Sequence, residues 1–312
     1  MCRWKSTKQI FLTKILTKME ILKNISESHK AVQNIENQLF NVVKLPLYTG
    51  IDDKFTIENG FGLFKENGGS QLGIVGKDFN ASQPKAIFEA FCDASLQSGF
   101  DIDKLNYFEM KEGKKIRFSI PIAKVSFKNI RGAEDTTNVI LNVQTGFDGN
   151  TATSLYLETY RLICTNGMKK TFTEFKAKFR NTNGNEGKIA GMLNDVTKCV
   201  GQVEKLEELY LKLNKVKVNQ VAVDKYIQSV FGYDLKKYAE LGKASIDIID
   251  KVKECIEWEF KNTGASAFGL FNGITHYTNH FAKGHENSDY LFTEQGARTN
   301  DKALKEILVM VK

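Results

Sequence analysis

The chain has 312 residues, of which 42% are hydrophobic and 26% charged, a composition that can bury a sizeable core and excludes wholesale disorder. Three prolines against 24 glycines exclude collagen-like and Pro-rich architectures. The formal net charge is +7, from 44 Lys and Arg against 37 Asp and Glu. Residues 191–312 hold 17 basic and 17 acidic side chains, so the whole excess lies in residues 1–190. Segregated positive charge points either to a polyanionic partner or to a solvated face.

Residues 1–23 are basic (Arg3, Lys5, Lys8, Lys14, Lys18, Lys23, against Glu20) and lack the uninterrupted apolar stretch and small-residue cleavage site of a secretory signal. The expectation here is that Met19 is the natural start and residues 1–18 a translated upstream extension. Residues 20–40 place Ile21, Leu22, Ile25, Val32, Ile35 and Leu39 at helical spacing, with Ser26 or Ser28 able to cap a turn inside the region. Between Gly50 and Gly76 the short apolar runs FGLF and LGIV read as strands or hairpin pieces. Residues 84–98 open on Pro84 and show apolar i, i+3, i+4 spacing, which predicts a helix.

The middle of the chain reads as β. Residues 105–111, 114–127, 137–147 and 153–164 alternate, with turn chemistry at Gly113, Arg131-Gly132 and Asp148-Gly149. The alternation sets Lys115, Arg117 and Ser119 on one face and Ile116, Phe118 and Ile120 on the other, predicting a basic, solvent-facing antiparallel sheet. In residues 165–190, Phe172, Phe175 and Phe179 interleave with Lys169, Lys170, Lys176, Lys178 and Arg180. The spacing of the three rings predicts the core face of a short helix, which leaves the basic row available to a phosphate backbone.

From residue 187 onward the pattern is helical. Apolar residues from Ile189 to Val216 recur every 3.5 to 3.6 positions and predict one long amphipathic helix, its apolar stripe a packing face within the chain and a candidate subunit contact. Further helices are expected near 219–231, 244–261, 266–283 and 300–312.

Sites for bond chemistry are sparse. His276 and His280 are spaced i, i+4, but Tyr277 stands where a zinc peptidase has its Glu, and helical histidines more often pack or hydrogen-bond. His285, Glu286 and Asp289 are the residues that would complete a metal site. Cys164, flanked by Leu162 and Ile163, reads as a buried structural thiol. The Gly-rich pieces at 59–62 and 67–69 match neither phosphate-loop pattern. Five cysteines, odd in number and without a C-x-x-C pair, fit a reducing cytosol, and no apolar run approaches the ~18 residues of a membrane span. No enzyme chemistry, metal or cofactor is called for.

Three segments, TGFDGNTATSLYLETY at 145–160, RLICTNGM at 161–168 and FGLFNGITHYTNHF at 268–281, resemble the phage- and plasmid-borne domain-of-unknown-function family nine-three-two. The resemblance covers the chain from about residue 60 to its end; one departure is Asn181, where the family commonly has a His before Thr. It implies a role among the replication and recombination functions of mobile elements. In outline, a basic sheet followed by helices is also remotely similar to Rad-type single-strand annealing proteins.

The resulting expectation is an α+β protein: an N-terminal extension and helix in 1–49, a basic antiparallel sheet with flanking helices in 50–190, and a mainly helical region in 191–312 packed on it. Its expected partner is single-stranded DNA, held by Lys114, Lys115, Arg117, Lys124, Lys128, Arg131, Lys169, Lys170, Lys176, Lys178 and Arg180, with Arg161 anchoring the turn after Asp148-Gly149. A ring or filament of identical subunits in the host cytoplasm would anneal strands, with no membrane and no cofactor. The alternatives are a phage protein that binds a host or anti-defence target, and a metal-dependent hydrolase using His276 and His280.

Overall fold

Five strands run side by side in chain order: β4 (Asn106–Met110), β5 (Lys115–Lys128), β6 (Glu134–Gly146), β7 (Thr153–Arg161) and β8 (Lys170–Phe179). β4 and β5 pair antiparallel, Asn106 opposite Ser119 and Met110 opposite Lys115. A separate antiparallel sheet has the order β1 (Val42–Thr49), β2 (Phe55–Lys65), β3 (Gln71–Val75). The helices are α1 (Lys30–Glu36), α2 (Pro84–Gln97), α3 (Asn185–Ala190), α4 (Val203–Lys215), α5 (Gln220–Phe231), α6 (Lys243–Thr263), α7 (Ala267–His280) and α8 (Gln295–Met310). The chain is thus α+β, with a helical C-terminal region. This computed structural model describes residues 29–50, 55–66, 69–161, 170–182, 185–191, 196–198, 200–285 and 295–311.

The chain divides into two compact units of interleaved segments: Met1–Pro121, Asn142–Leu155 and Ala177–Thr197 in one, and Ile122–Leu141, Tyr156–Lys176 and Lys198–Lys312 in the other.

In the first unit the core is aromatic. α2 starts with Pro84 in its first turn and buries Ile87, Phe88, Phe91 and Cys92 on one stripe. The Phe88 ring meets Phe118 of β5 at 5.3 Å between centroids, and Tyr107 of β4 meets Phe118 at the same separation. β1 contains Pro46, which a sequence pattern discourages in a strand; it is tolerated because β1 is an edge, and the register shifts between Pro46 and Tyr48.

In the second unit α4 buries Leu206, Tyr210 and Leu213. Tyr210 and Phe127 both pack on Phe268 of α7, at 5.3 and 5.0 Å, and the Tyr210 hydroxyl pairs with that of Thr159 at 3.1 Å. α6 and α7 lie close enough that a Cβ at Gly273 would meet the Ile256 Cα at 2.7 Å. Tyr226 of α5 donates to the Ala303 carbonyl of α8 across 2.9 Å.

Three expectations are corrected here. Residues 189–216 do not form one helix: turns at Gly191 and at Gly201-Gln202 interrupt it, because glycine at these points favours irregular backbone over helix. The apolar stripe of α4 is spent inside its own unit, as a packing face. Residues 170–179 form a strand, not a short helix; pairing beside β7 overrides the three- and four-residue spacing of the phenylalanines. Of the helix expected over 20–40, the described part is the two turns Lys30–Glu36, and Ser26 and Ser28 lie outside the described residues.

Candidate nucleic-acid interface

A further correction concerns the basic sheet face. Lys115, Arg117 and Ser119 do share a face of β5, yet they are only 7%, 8% and 6% exposed, so this face is buried as well as the Ile116, Phe118 and Ile120 face. The Lys115 ammonium lies 3.7 Å from Asp148 Oδ2, and the Arg117 guanidinium sits 4.6 Å from the Phe108 ring centroid on β4. Their aliphatic stems are covered along with the heads, so this stretch is not a solvent-facing basic surface. Lys114, just before the strand, is half-buried.

Further along β5 the period of two returns. Lys124, Ser126 and Lys128 are exposed, whereas Val125 and Phe127 between them are buried at 1% and 6%. Arg131 follows, exposed in the turn whose Gly132 has φ 81°. The Ser126 hydroxyl pairs with Thr136 of β6 at 2.9 Å. Among the described residues, Lys124, Lys128 and Arg131 enter no ion pair, and exposed Glu134 is the nearest acid in sequence.

The remaining predicted cations belong to β7, β8 and their surroundings. Arg161 ends β7, and Lys170 and Lys176 lie on β8, where backbone placement alone is described. Lys169 lies outside the described residues, as does Cys164. Lys178 and Arg180 are exposed at the end of β8 and line a pocket of about 410 Å³ in the first unit.

The facing wall of that pocket is the β6–β7 connection, Gly149 to Ala152, and Phe79 and Asn181 complete it. Asp148 shapes the connection: Oδ1 accepts from the backbone N–H groups of Asn150 and Thr151 at 3.0 and 2.8 Å, and Oδ2 accepts from the Thr151 hydroxyl at 2.9 Å. Gly149 follows with φ 80°, and a Cβ there would meet the Ile74 carbonyl oxygen at 2.9 Å. Beneath lies Asn181, 3% exposed, which donates to the carbonyls of Gly146 and Thr151 at 3.1 and 3.3 Å. The strand end is pinned to the segment carrying Phe79 by Asn80 N–H donating to the Asn181 carbonyl at 3.0 Å. On that segment's other side, Lys44 donates to the carbonyls of Lys77 and Phe79 at 2.6 and 2.8 Å. Burial pulls the Lys44 ammonium below its ordinary range, with Asp78 opposing the shift.

The histidines form a different cluster. The His276 and His280 rings meet edge to face at 5.5 Å, Trp258 lies 4.9 Å from His276, and His276 Nδ1 is 3.6 Å from Glu259 Oε1. His285 Nδ1 lies 3.0 Å from the Ala282 carbonyl. Among the described residues, no three His, Cys, Asp or Glu side chains are grouped to hold a metal ion; Glu286 and Asp289 are outside them.

Sequence reasoning found the Asp148-Gly149 turn, Lys178 and Arg180, but as unconnected features. It missed Phe79, Asn150 and Thr151 as pocket walls, and it met Asn181 solely as a departure from a pattern.

The sequence profile described as "Domain of unknown function (DUF932)" matches residues 71–308. The chain belongs to this DUF932 family. The matched stretch contains β5 through α7, most of α8, and every lining residue of the pocket. No curated protein and no solved structure matches the chain. No helix among the described residues of this DUF932 chain is long and apolar enough to cross a membrane.

Proposed function

We propose that this protein binds single-stranded DNA without strong sequence preference and promotes strand annealing in the recombination of phage or mobile-element DNA. The observation that carries the reading is the outer end of β5, where exposed Lys124 and Lys128 alternate with buried Val125 and Phe127 and lead into exposed Arg131. A strand rises about 3.3 Å per residue, so the two lysines project from one face about 13 Å apart, on a backbone fixed by its neighbours. Cations held without internal partners gain most from phosphates, because binding releases condensed counterions. Annealing needs neutralised backbones and accessible bases, not bond chemistry, so no cofactor enters the proposal. A homo-oligomer in the host cytoplasm would align many bases at once.

The test is an electrophoretic shift with labelled oligonucleotides over a salt series. Binding should weaken as salt rises, and each phosphate contact removed by Lys124→Glu or Lys128→Glu should lower the log–log slope by about 0.7. No binding at low salt, or a slope near zero, sinks the reading.

A second reading, a protein that docks on a host or anti-defence target, is favoured by a different observation. On the three-stranded sheet and its hairpin, Leu45, Tyr48, Phe55, Ile57 and Ile74 are 41–65% exposed. Leu45 and Ile74 lie in one cross-strand row, each paired with Gly62. This reading predicts no nucleic-acid affinity and one host protein retained in pull-downs, its retention lost on Leu45→Lys with Ile74→Lys.

A further inference from the structure

The pocket between the Gly149–Ala152 connection and the Lys178–Thr182 strand end has a chemistry of its own. Two cationic side chains, Lys178 and Arg180, line it, and among the described residues no carboxylate does. Two acids adjoin the lining in sequence: Asp148, which accepts three hydrogen bonds from its own loop and lies 3.7 Å from the Lys115 ammonium, and exposed Asp78 beside Phe79, whose charge acts on Lys44. The opposite polar wall, Asn150 and Thr151, is neutral. An anion therefore meets net positive charge among the lining side chains, with Asp148 and Asp78 each facing a lysine of its own, Lys115 and Lys44. Arg supplies a planar fork and Lys a point charge, a pairing that suits the several oxygens of a phosphate monoester better than a single carboxylate.

Phe79 adds a half-buried aromatic wall, which an inorganic ion would not use but a base can stack on. The volume of about 410 Å³ falls among small-ligand pockets, which run from roughly 300 to 1,000 Å³. The floor is preformed: Asn181 is buried at 3% and spends its amide hydrogen bonds on Thr145, Gly146, Thr151 and Thr153. It fixes the walls and leaves recognition to Lys178, Arg180 and Phe79.

We propose that this pocket binds one nucleoside monophosphate unit, its phosphate on Lys178 and Arg180 and its base against Phe79. The same unit can arrive free or as the 5′-phosphorylated end of a strand. The inference goes beyond the strand-binding reading and does not rest on it, since it uses different cations and a mononucleotide satisfies it.

The experiment is isothermal titration of the full chain with deoxyadenosine monophosphate, deoxyadenosine and inorganic phosphate. The monophosphate should bind at least tenfold more tightly than either of the others. Lys178→Ala with Arg180→Ala should weaken it at least tenfold, and Phe79→Ala should weaken the monophosphate while leaving inorganic phosphate unchanged. Both cations are exposed, so the double variant should melt as the parent does; Arg180→Lys, which keeps charge and loses the fork, should give an intermediate affinity. Equal affinity for deoxyadenosine, no measurable binding of the monophosphate, or binding unaffected by the double variant overturns the proposal. A 5′-phosphorylated oligonucleotide binding more tightly than its 5′-hydroxyl form in a pocket-dependent way assigns the site to strand ends; no such difference, with the monophosphate bound, assigns it to free nucleotide. Because the probe is a mononucleotide, this titration and the oligonucleotide shift can fail separately.

Discussion

Thr153 donates its hydroxyl proton to Asn181 Oδ1 across 2.7 Å, and this bond closes a ring. With that proton committed, the 2.7 Å hydrogen bond between Thr145 and Thr153 has Thr145 as donor, and Thr145 in turn accepts from Asn181 Nδ2 at 3.4 Å. All three residues are at most 3% exposed. A buried polar ring is stabilising when complete and costly when one member is removed, because the survivors are then desolvated without partners. Thr153→Val keeps the shape and strands Asn181 Oδ1, so urea unfolding should show a loss of about 1–3 kcal/mol. Asn181→Asp should cost more, since a carboxylate would face the Gly146 and Thr151 carbonyls in place of a donor. A Thr153→Val variant with parental stability would show that the ring contributes nothing.

Gly149 should prove the least replaceable residue of the pocket wall. It has φ 80°, and an added Cβ would meet the Ile74 carbonyl oxygen at 2.9 Å. Gly99 is its control: its φ is 76°, with nothing within 4 Å of an added Cβ. Gly99→Ala should cost about 1 kcal/mol from backbone conformation alone. Gly149→Ala adds a clash with backbone that cannot rotate away, for a total of about 2–3 kcal/mol. Equal melting temperatures for the two variants would count against the close approach.

Elements whose pattern is local were legible in the sequence. Pro84 with its apolar stripe gave away α2, and alternation located β5, β6 and β7 to within a few residues, because pleat and helix periods are properties of the segment itself. What depended on neighbours was not legible. Lys115 and Arg117 alternate as a solvent face should, yet Asp148, brought in by a loop, lies against Lys115 and Phe108, brought in by strand pairing, lies against Arg117. Residues 170–179 carry a helical spacing of phenylalanines, and a free partner edge in the sheet decides for a strand. The pocket was invisible for the same reason: Phe79, Thr151 and Arg180 are about a hundred residues apart end to end, and nothing local marks Phe79.

In the helical region Gly273 of α7 lies close against Ile256 of α6. A Cβ at 273 would lie 2.4 Å from Ile256 Cγ1 and 2.7 Å from its Cα. Gly→Ala in a helix interior ordinarily stabilises by roughly 0.5–1 kcal/mol. Here the sign should reverse, with Gly273→Ala costing about 1–3 kcal/mol by overpacking. Ile256→Ala removes the Cγ1 clash but leaves the clash with the α6 backbone, so combining it with Gly273→Ala should not restore parental stability in thermal melts. Full rescue would place the strain in the side chain alone.

Cys92 and Cys255 should be inert thiols. They are 1% and 3% exposed. Burial, aided by Asp93, Glu36 and Glu89, pushes the Cys92 thiol well up, and burial pushes Cys255 up to about 12, with Lys251 opposing the shift. Iodoacetamide at pH 8, followed by peptide mapping, should leave both unmodified in the native chain and label both in urea. The linkage has a definite sign. Above about pH 8.5 the unfolded thiols ionise while the folded ones hold their protons, so ionisation favours the unfolded chain. Stability present below that pH should therefore fall as the pH rises toward 12. Tyrosines and lysines also titrate there, so the comparison is between the parent and Cys92→Ala with Cys255→Ala, whose urea midpoint should decline less between pH 8 and 10. Parallel declines, or rapid labelling of either thiol in the native chain, would refute the assignment.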